Sequence, residues 1–279
     1  MTTLSLMAPA KLNLFLHIIG QRADGYHQLQ TLFQLLDYGD QLHFSLRKDT
    51  QINLSPALAG VAEHDNLIVR AAKLLQQHSG CQLGADIQLD KILPLGGGLG
   101  GGSSNAATTL VGLNYLWKLH LPLAELAQLG LQLGADVPLF VEGKSAWGEG
   151  VGERLIALKI PDYWYLVVKP DCEVSTLQIF SNKQLTRNSP PITIAAVFEE
   201  DHRNDCEPIV RAIYPQVDSA LKWLSQKTKS RLTGTGACIF GQFADHASAL
   251  QVLHELPAEL TGFVARGVNQ SPCHMKLYN

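Results

Sequence analysis

The chain has 279 residues, of which 46% are hydrophobic and 17% charged. That apolar share excludes an intrinsically disordered chain, and the length fits one large or two ordinary domains. A net charge of −3 gives no basic surface for gripping nucleic acid, so an anionic ligand would need a local device to hold it.

Five cysteines (Cys81, Cys172, Cys206, Cys238, Cys273) are widely spaced with no C-x-x-C pair. The pattern fits neither a disulfide framework nor a zinc knuckle, and predicts reduced, small, buried thiols in a cytoplasmic protein. The ten histidines show no ligand spacing, so they predict no metal site. The N-terminal stretch lacks a basic leader, and Lys11 and Asn13 interrupt its apolar run. No segment approaches the roughly 20 apolar residues of a membrane span. The expectation is a soluble, unexported protein with no membrane partner.

In chain order, residues 12–19 alternate, with Leu12, Leu14, Leu16 and Ile18 on one side and Asn13, Phe15 and His17 on the other. Period two predicts a strand with one face on the core, and Lys11 shares the parity of Asn13. The turn-rich segment 20–27 and a second apolar-polar segment, 28–36, follow. Leu67, Ile68, Ala71, Leu74 and Leu75 predict a helix over 66–79, capped by Asp65 or Asn66 and ended by Gly80. A strand is expected over 85–93 and a helix over 104–118, its cap supplied by Ser103 or Ser104. Another helix, 123–133, runs into GADVPLF (134–140). Gly148, Gly150 and Gly152 punctuate a hairpin loop, and 181–191 is a polar loop or linker. Helical segments at 207–226, a strand–glycine loop–strand at 231–243, a helix at 246–256 and a strand at 262–268 complete the chain. A strand-rich first half and a mixed second half predict an α+β protein of two packed lobes.

The most unusual feature is PLGGGLGGGSSNAA (94–107), in which Gly96, Gly97, Gly98, Gly100, Gly101 and Gly102 surround Leu99. Consecutive glycines let backbone N–H groups close on a ligand, and the following helix adds its positive end. A phosphate-rich ligand suits such a cradle. No lysine follows the glycines as a Walker loop requires. A Rossmann unit is missing, because the next helix runs into another helix. The partners of a protein-kinase glycine loop are absent as well. A flexible linker is the bland alternative, but it would not carry a strand before it and a capped helix after it.

Three ordered motifs, PAKLNLFL (9–16), the glycine-serine loop and LTGTGACIFG (232–241), resemble those of the GHMP small-molecule kinases. With DGYH (24–27) and LGADVPLF (133–140), the chain is most similar to the branch acting on a cytidine diphosphate ester of methylerythritol. The resemblance covers nearly the whole chain. It implies an N-terminal ribosomal-protein-S5-domain-2-like lobe over 1–158, which binds ATP. A ferredoxin-like C-terminal lobe is implied over 159–279, with the active site in the cleft between the two. The protein would be a monomer or homodimer that phosphorylates a small molecule.

Residue by residue, the resemblance makes Lys11 and Asp136 catalytic. It assigns Asn13, Tyr26, His27 and Phe180 to the substrate, with Tyr26 and Phe180 enclosing cytosine and His27 bonding its edge. ATP would meet Pro94, Leu95, the glycines and Leu99 of 96–102, Ser103 and Ser104, with Asn66 and Lys91 toward adenine. Mg²⁺ is expected with ATP, held by its oxygens, water and Ser104. Without the resemblance, Asp136 would be a helix-ending or turn aspartate, Lys11 an edge charge, Asn66 a cap and Phe180 a core aromatic. The rival readings are another kinase of the family, of homoserine or mevalonate type, and a nucleotide-binding module that has lost its chemistry.

Overall fold

The computed structural model describes residues 2–58, 60–199 and 202–278. The first lobe begins with two long strands, β1 (Thr3–Gln21) and β2 (His27–Arg47), followed by β3 (Ile52–Ser55), α1 (Leu67–Ser79) and β4 (Gly84–Asp90). It continues through α2 (Gly101–Leu116), α3 (Leu123–Leu131), α4 (Val137–Glu142) and the hairpin β5 (Ala146–Gly150)–β6 (Arg154–Ala157). The second lobe runs β7 (Trp164–Pro170), α5 (Thr176–Ser181), α6 (Glu207–Ile213), α7 (Pro215–Ser225), β8 (Ser230–Leu232) and β9 (Ile239–Phe243). It ends with α8 (His246–His254) and β10 (Leu260–Val268), and α9 (Pro272–Tyr278) closes the described chain. The architecture is α+β, as the composition of the two halves predicts.

β1 outgrows the expected 12–19 and does not keep one polar face. Leu6 and Ala8 enter one core, Ala10 and Leu12 a second, Phe15 a third, and Leu16 and Ile18 a fourth. Asn13 and His17, expected on the less apolar side, are buried too. Helices and the second lobe cover both faces, so simple alternation fails. The β1–β2 register slips between Pro9 and Lys11, between Asn13 and Leu16, and between Ile18 and Gly20. Such irregularities re-aim side chains, and two of them bracket Lys11 and Asn13.

The outer edge of β1 is closed by Ser189, from the segment expected to be a linker, and by residues 203–205 beyond it. Leu16 N donates to Arg203 O, Asp205 N to Leu16 O, and Ser189 N to Ile18 O. Buried Asp205 accepts from Ile18 N at 2.8 Å and from the Ser189 hydroxyl at 2.6 Å. The polar composition of this strap therefore serves pairing with a strand edge rather than solvation alone.

Helix α1 follows its sequence signals: the Asn66 side chain accepts from Ile68 N, and Gly80 takes a left-handed conformation at φ 66°. Helix α2 departs from them. It starts at Gly101 with Gly100 as N-cap at φ 72° and no side-chain cap, so Ser103 and Ser104 lie inside the first turn. The helical segments expected at 207–226 are two, α6 and α7, parted at Tyr214 before Pro215. β4 stops at Asp90 rather than continuing to Leu93, because the following N–H groups turn to the Asp40 carboxylate.

In the second lobe, β7, β8, β9 and β10 with intervening helices stand in the order β10-β7-β9-β8. The pairings are antiparallel, which is the βαββαβ arrangement expected above. β10 also pairs with β2 through Gly267 and Val268, so one sheet spans both lobes.

The chain then returns to the first lobe as α9, for which the sequence offered no reading. His274 on α9 lies against Gly143 at the end of α4. Burial lowers its basicity from the ordinary value of about 6.5, and the same cause acts on His17 and His27. Neutral histidines in the folded state bind fewer protons than the unfolded chain, so their contribution is complete above about pH 6.5 and declines below it. Thermal melts from about pH 7.5 to about 5.5 should show a falling Tm, with a shallower slope in His274→Gln. Equal slopes would remove His274 as a contributor.

Candidate active site

The glycine segment between β4 and α2 has positive φ at Gly96 (63°), Gly98 (73°) and Gly100 (72°), with residues of ordinary φ between them. Alternating hands of this kind turn successive N–H groups to one side. The carbonyls face the other way and are all occupied. Gly96 O accepts from Ala237 N, Gly97 O from Cys238 N, Leu99 O from Lys11 N, and Gly100 O from Ser104 N. Gly98 O accepts from the Thr233 hydroxyl at 3.4 Å. Among the described residues, no N–H of 96–103 donates a hydrogen bond to another protein group. The oxygens are used for structure, and the donors are left at the N-terminal end of a 16-residue helix.

The glycines fill different roles. An ideal Cβ at Gly96 meets nothing within 4 Å, whereas one at Gly98 would stand 2.3 Å from Thr233 O. At Gly100 it would meet the Phe140 ring at 2.9 Å and the Lys11 side chain at 3.2 Å. Gly96→Ala should therefore cost only left-handed strain, about 1–2 kcal/mol. Gly98→Ala should cost more, because it parts the two glycine loops as well. Denaturant midpoints of the two variants check the order, and equal losses would refute the steric part.

Lys11 and Asn13 converge beneath this loop. Lys11 Nζ donates to Asn13 Oδ1 at 2.5 Å and lies 3.3 Å from Asp136 Oδ2. It is buried, and it sits 5.4 Å from the centroid of the Phe33 ring. Asn13 Nδ2 donates to the Thr31 hydroxyl at 2.9 Å, and Asn13 N donates to the Thr233 hydroxyl at 3.0 Å. Asp136 precedes α4, but its carboxylate makes no capping bond, which leaves it free for Lys11. Its side chain keeps 30% exposure, against 5% for Lys11, so the carboxylate is the partner that faces the cleft.

Tyr26, His27 and Phe180 line a groove of about 810 Å³ with Leu29, Ala135 and Val151. Ala135 carries that groove to the residue before Asp136. Phe180 stacks on His27, ring centroids 5.0 Å apart at 27°, and also packs on the second-lobe core. Tyr26 is 65% exposed.

Lys91 and Asn66 are both drawn into structural contacts. Lys91 Nζ donates to buried Asp40 at 2.8 Å and to Leu93 O, and would lie 3.4 Å from a Cβ at Gly101. Asn66 caps α1, and neighbouring Leu67 reaches the position of a Gly102 Cβ at 3.5 Å. The Ser104 hydroxyl is buried without a hydrogen-bond partner, while Ser103 is partly exposed, its Oγ 3.7 Å from the position of a Gly134 Cβ. Pro94 and Leu95 lead into the loop, with Leu95 49% exposed.

Sequence reasoning missed Thr31, Asp40, Arg187, Asn204 and Thr233. Asn204 Nδ2 donates to Leu232 O and Gly234 O at 2.9 and 2.8 Å, bracing the second glycine loop. Thr233 sits inside LTGTG, where the motif pointed to the loop but not to its hydroxyl.

A row of N–H groups at a helix N-terminus, a Lys–carboxylate pair beneath it and an adjoining groove form an arrangement suited to phosphoryl transfer onto a small molecule. Residues 66–144 match the GHMP kinases N terminal domain and residues 185–262 the GHMP kinases C terminal domain. The chain belongs to the GHMP kinases, and it is an ATP-dependent kinase. It is 57% identical to the 4-diphosphocytidyl-2-C-methyl-D-erythritol kinase of Pseudomonas aeruginosa, over 98% of this chain and 97% of that one. The enzyme of the same name from Mannheimia succiniciproducens is 55% identical, over 96% of this chain and 89% of that one. A crystal structure of 4-(cytidine 5'-diphospho)-2C-methyl-D-erythritol kinase superposes with a TM-score of 0.84 at 29% identity, covering 95% of this chain and all of that one.

Proposed function

We propose that this kinase transfers the γ-phosphoryl group of ATP to the 2-hydroxyl of 4-diphosphocytidyl-2-C-methyl-D-erythritol, releasing ADP, in the non-mevalonate route to isoprenoids. Full-length relatives at 55% and 57% identity that carry this name support the substrate. The observation that carries the chemistry is the cradle of unengaged N–H groups 96–103 with Lys11 and Asp136 beneath it.

In this reading Asp136 accepts the proton of the substrate hydroxyl as its oxygen attacks the γ-phosphorus. Lys11, already 3.3 Å from that carboxylate, stabilises the charge growing on the attacking oxygen. Asn13 aligns the lysine and offers its amide to the acceptor. Residues 96–103 hold the triphosphate in line. Lys91 stands beside the start of α2, and Asn66 flanks the same end. Tyr26, His27 and Phe180 receive the cytosine along a groove that ends next to Asp136. The first lobe, 1–158 joined by α9, supplies the ATP side, and the second, from 159 through β10, closes the cleft with Thr233 and Phe180.

Mg²⁺ bound with ATP would neutralise the β- and γ-phosphates. The donor set fits an ion carried largely by phosphate oxygens and water, since no group of three or more metal-ligating side chains occurs among the described residues. The Ser103 hydroxyl, partly exposed at the start of α2, is placed for such an ion in preference to the enclosed Ser104. No helix among the described residues is long and apolar enough to cross a membrane. Five free thiols fit a cytoplasmic setting.

A coupled assay of ADP release with the cytidine diphosphate ester, homoserine and mevalonate as acceptors tests the reading. Turnover with the first alone is expected. Preference for either other acceptor would overturn the substrate assignment, and release of no ADP with any of them would overturn the catalytic one.

A further inference from the structure

The loop after α5 supplies the group that controls the His27 ring. Arg187 Nε donates to His27 Nε2 at 3.0 Å. The same guanidinium donates to Phe180 O and Asn182 O, each at 2.9 Å, and to Leu185 O at 3.1 Å. Its described partners are thus one imidazole and three carbonyls at the end of α5. A guanidinium is a donor only, so His27 Nε2 must be the nitrogen with the lone pair. The ring is therefore neutral, and its hydrogen is on Nδ1. Arg187 thus ties His27 to the backbone of Phe180, the residue whose ring stacks on His27.

We propose that Arg187 is a positioning residue for base recognition, locking His27 as an Nδ1–H donor so that the groove selects cytosine over uracil. The inference rests on the reading of this groove as the nucleoside site. Along its pairing edge cytosine presents acceptors at ring N3 and O2, whereas N3 of uracil carries a hydrogen. A fixed Nδ1–H satisfies the first and opposes the second, and a buried donor facing a donor is costly. Without Arg187 the neutral imidazole can move its hydrogen to Nε2 and present Nδ1 as an acceptor, which suits uracil.

Histidine ¹⁵N NMR of the wild-type protein, with His27 assigned by comparison with His27→Gln, should show Nδ1 protonated and Nε2 bare. A wild-type His27 protonated at Nε2 would overturn the proposal without recourse to any Arg187 variant. In Arg187→Met the KM for the cytidine ester should rise about 5–10-fold, with kcat and the KM for ATP within about twofold. Discrimination against the uridine counterpart should fall by about tenfold. Arg187→Lys, which can donate to His27 but cannot also span the three carbonyls, should give intermediate values and keep Nδ1 protonated. If Arg187→Met fails to fold, the wild-type spectrum and the lysine variant decide the matter. Wild-type turnover of the cytidine ester combined with unchanged KM and discrimination in the variants would remove Arg187 and leave the function standing. A wild type inactive on that ester would instead remove the functional reading.

Discussion

Asp136→Asn is expected to lower kcat by about 10²- to 10⁴-fold while leaving the KM for ATP nearly unchanged. The substitution keeps the shape of the side chain and removes only its charge and its ability to take a proton. The fold should tolerate the change, because the carboxylate caps no helix and its ion-pair partner Lys11 keeps a second acceptor in Asn13. ATP should still bind, since the donors of 96–103 belong to the backbone and do not involve Asp136. The alternative, a structural turn aspartate, makes the opposite prediction: a loss of Tm with kcat nearly intact. Steady-state kinetics and a thermal melt on one preparation separate the two. Retention of more than about a tenth of wild-type kcat would exclude Asp136 as the base.

Asp40→Asn should destabilise the protein by about 3–5 kcal/mol. Asp40 is fully buried on β2 and accepts from Ile92 N and Leu93 N at 2.8 Å each. It also accepts from Lys91 Nζ at 2.8 Å and from Asn105 Nδ2 at 3.0 Å. The carboxylate thus joins β2, the entry to the glycine loop and the first turn of α2. An asparagine amide would turn a donor toward this ring of donors and leave the Lys91 ammonium without its counter-charge. Both effects are expensive in a buried site. Affinity for ATP should fall together with stability, because Lys91 and the loop entry lose their common anchor. Chemical denaturation measures the first effect and nucleotide titration the second. A loss below about 1 kcal/mol would show that the carboxylate is not the hub.

Much of the candidate site's local geometry was legible in the sequence, because loops and caps are set by near neighbours. Positive φ favours glycine, so a block of glycines between a strand and a helix points to a loop of unusual backbone wherever the chain folds. Asn66 and Gly80 delimit α1 by the same logic, since caps act within a few residues. The shared parity of Lys11 and Asn13 corresponds to a hydrogen bond between their side chains. Parity failed for β1 as a whole, because the burial of its second face depends on a lobe that comes later in the chain. The serines before the expected start of α2 misled for a related reason: Gly100, at φ 72°, already ends the loop. The segment 181–191 looked solvated because polar residues that bond a strand edge, as Ser189 does, have the same composition as those that bond water.

What distinguishes the two kinds of information is sequence separation. The glycine cradle, the α+β class and the order of the motifs follow from neighbours a few residues apart, whose backbone preferences operate before any tertiary contact forms. The working geometry depends on partners far away in the chain. Thr233 meets Asn13 across 220 residues, Arg187 meets His27 across 160, and Asp40 reaches Asn105 across 65. A threonine in a glycine loop, an arginine in a polar connection and an aspartate in a long strand are each ordinary in their local setting. They become a brace, a tautomer lock and a buried hub when the sheet that runs through both lobes brings their partners within hydrogen-bonding distance. Hydrogen bonds reach only about 3 Å, and no local preference encodes which distant group will lie there.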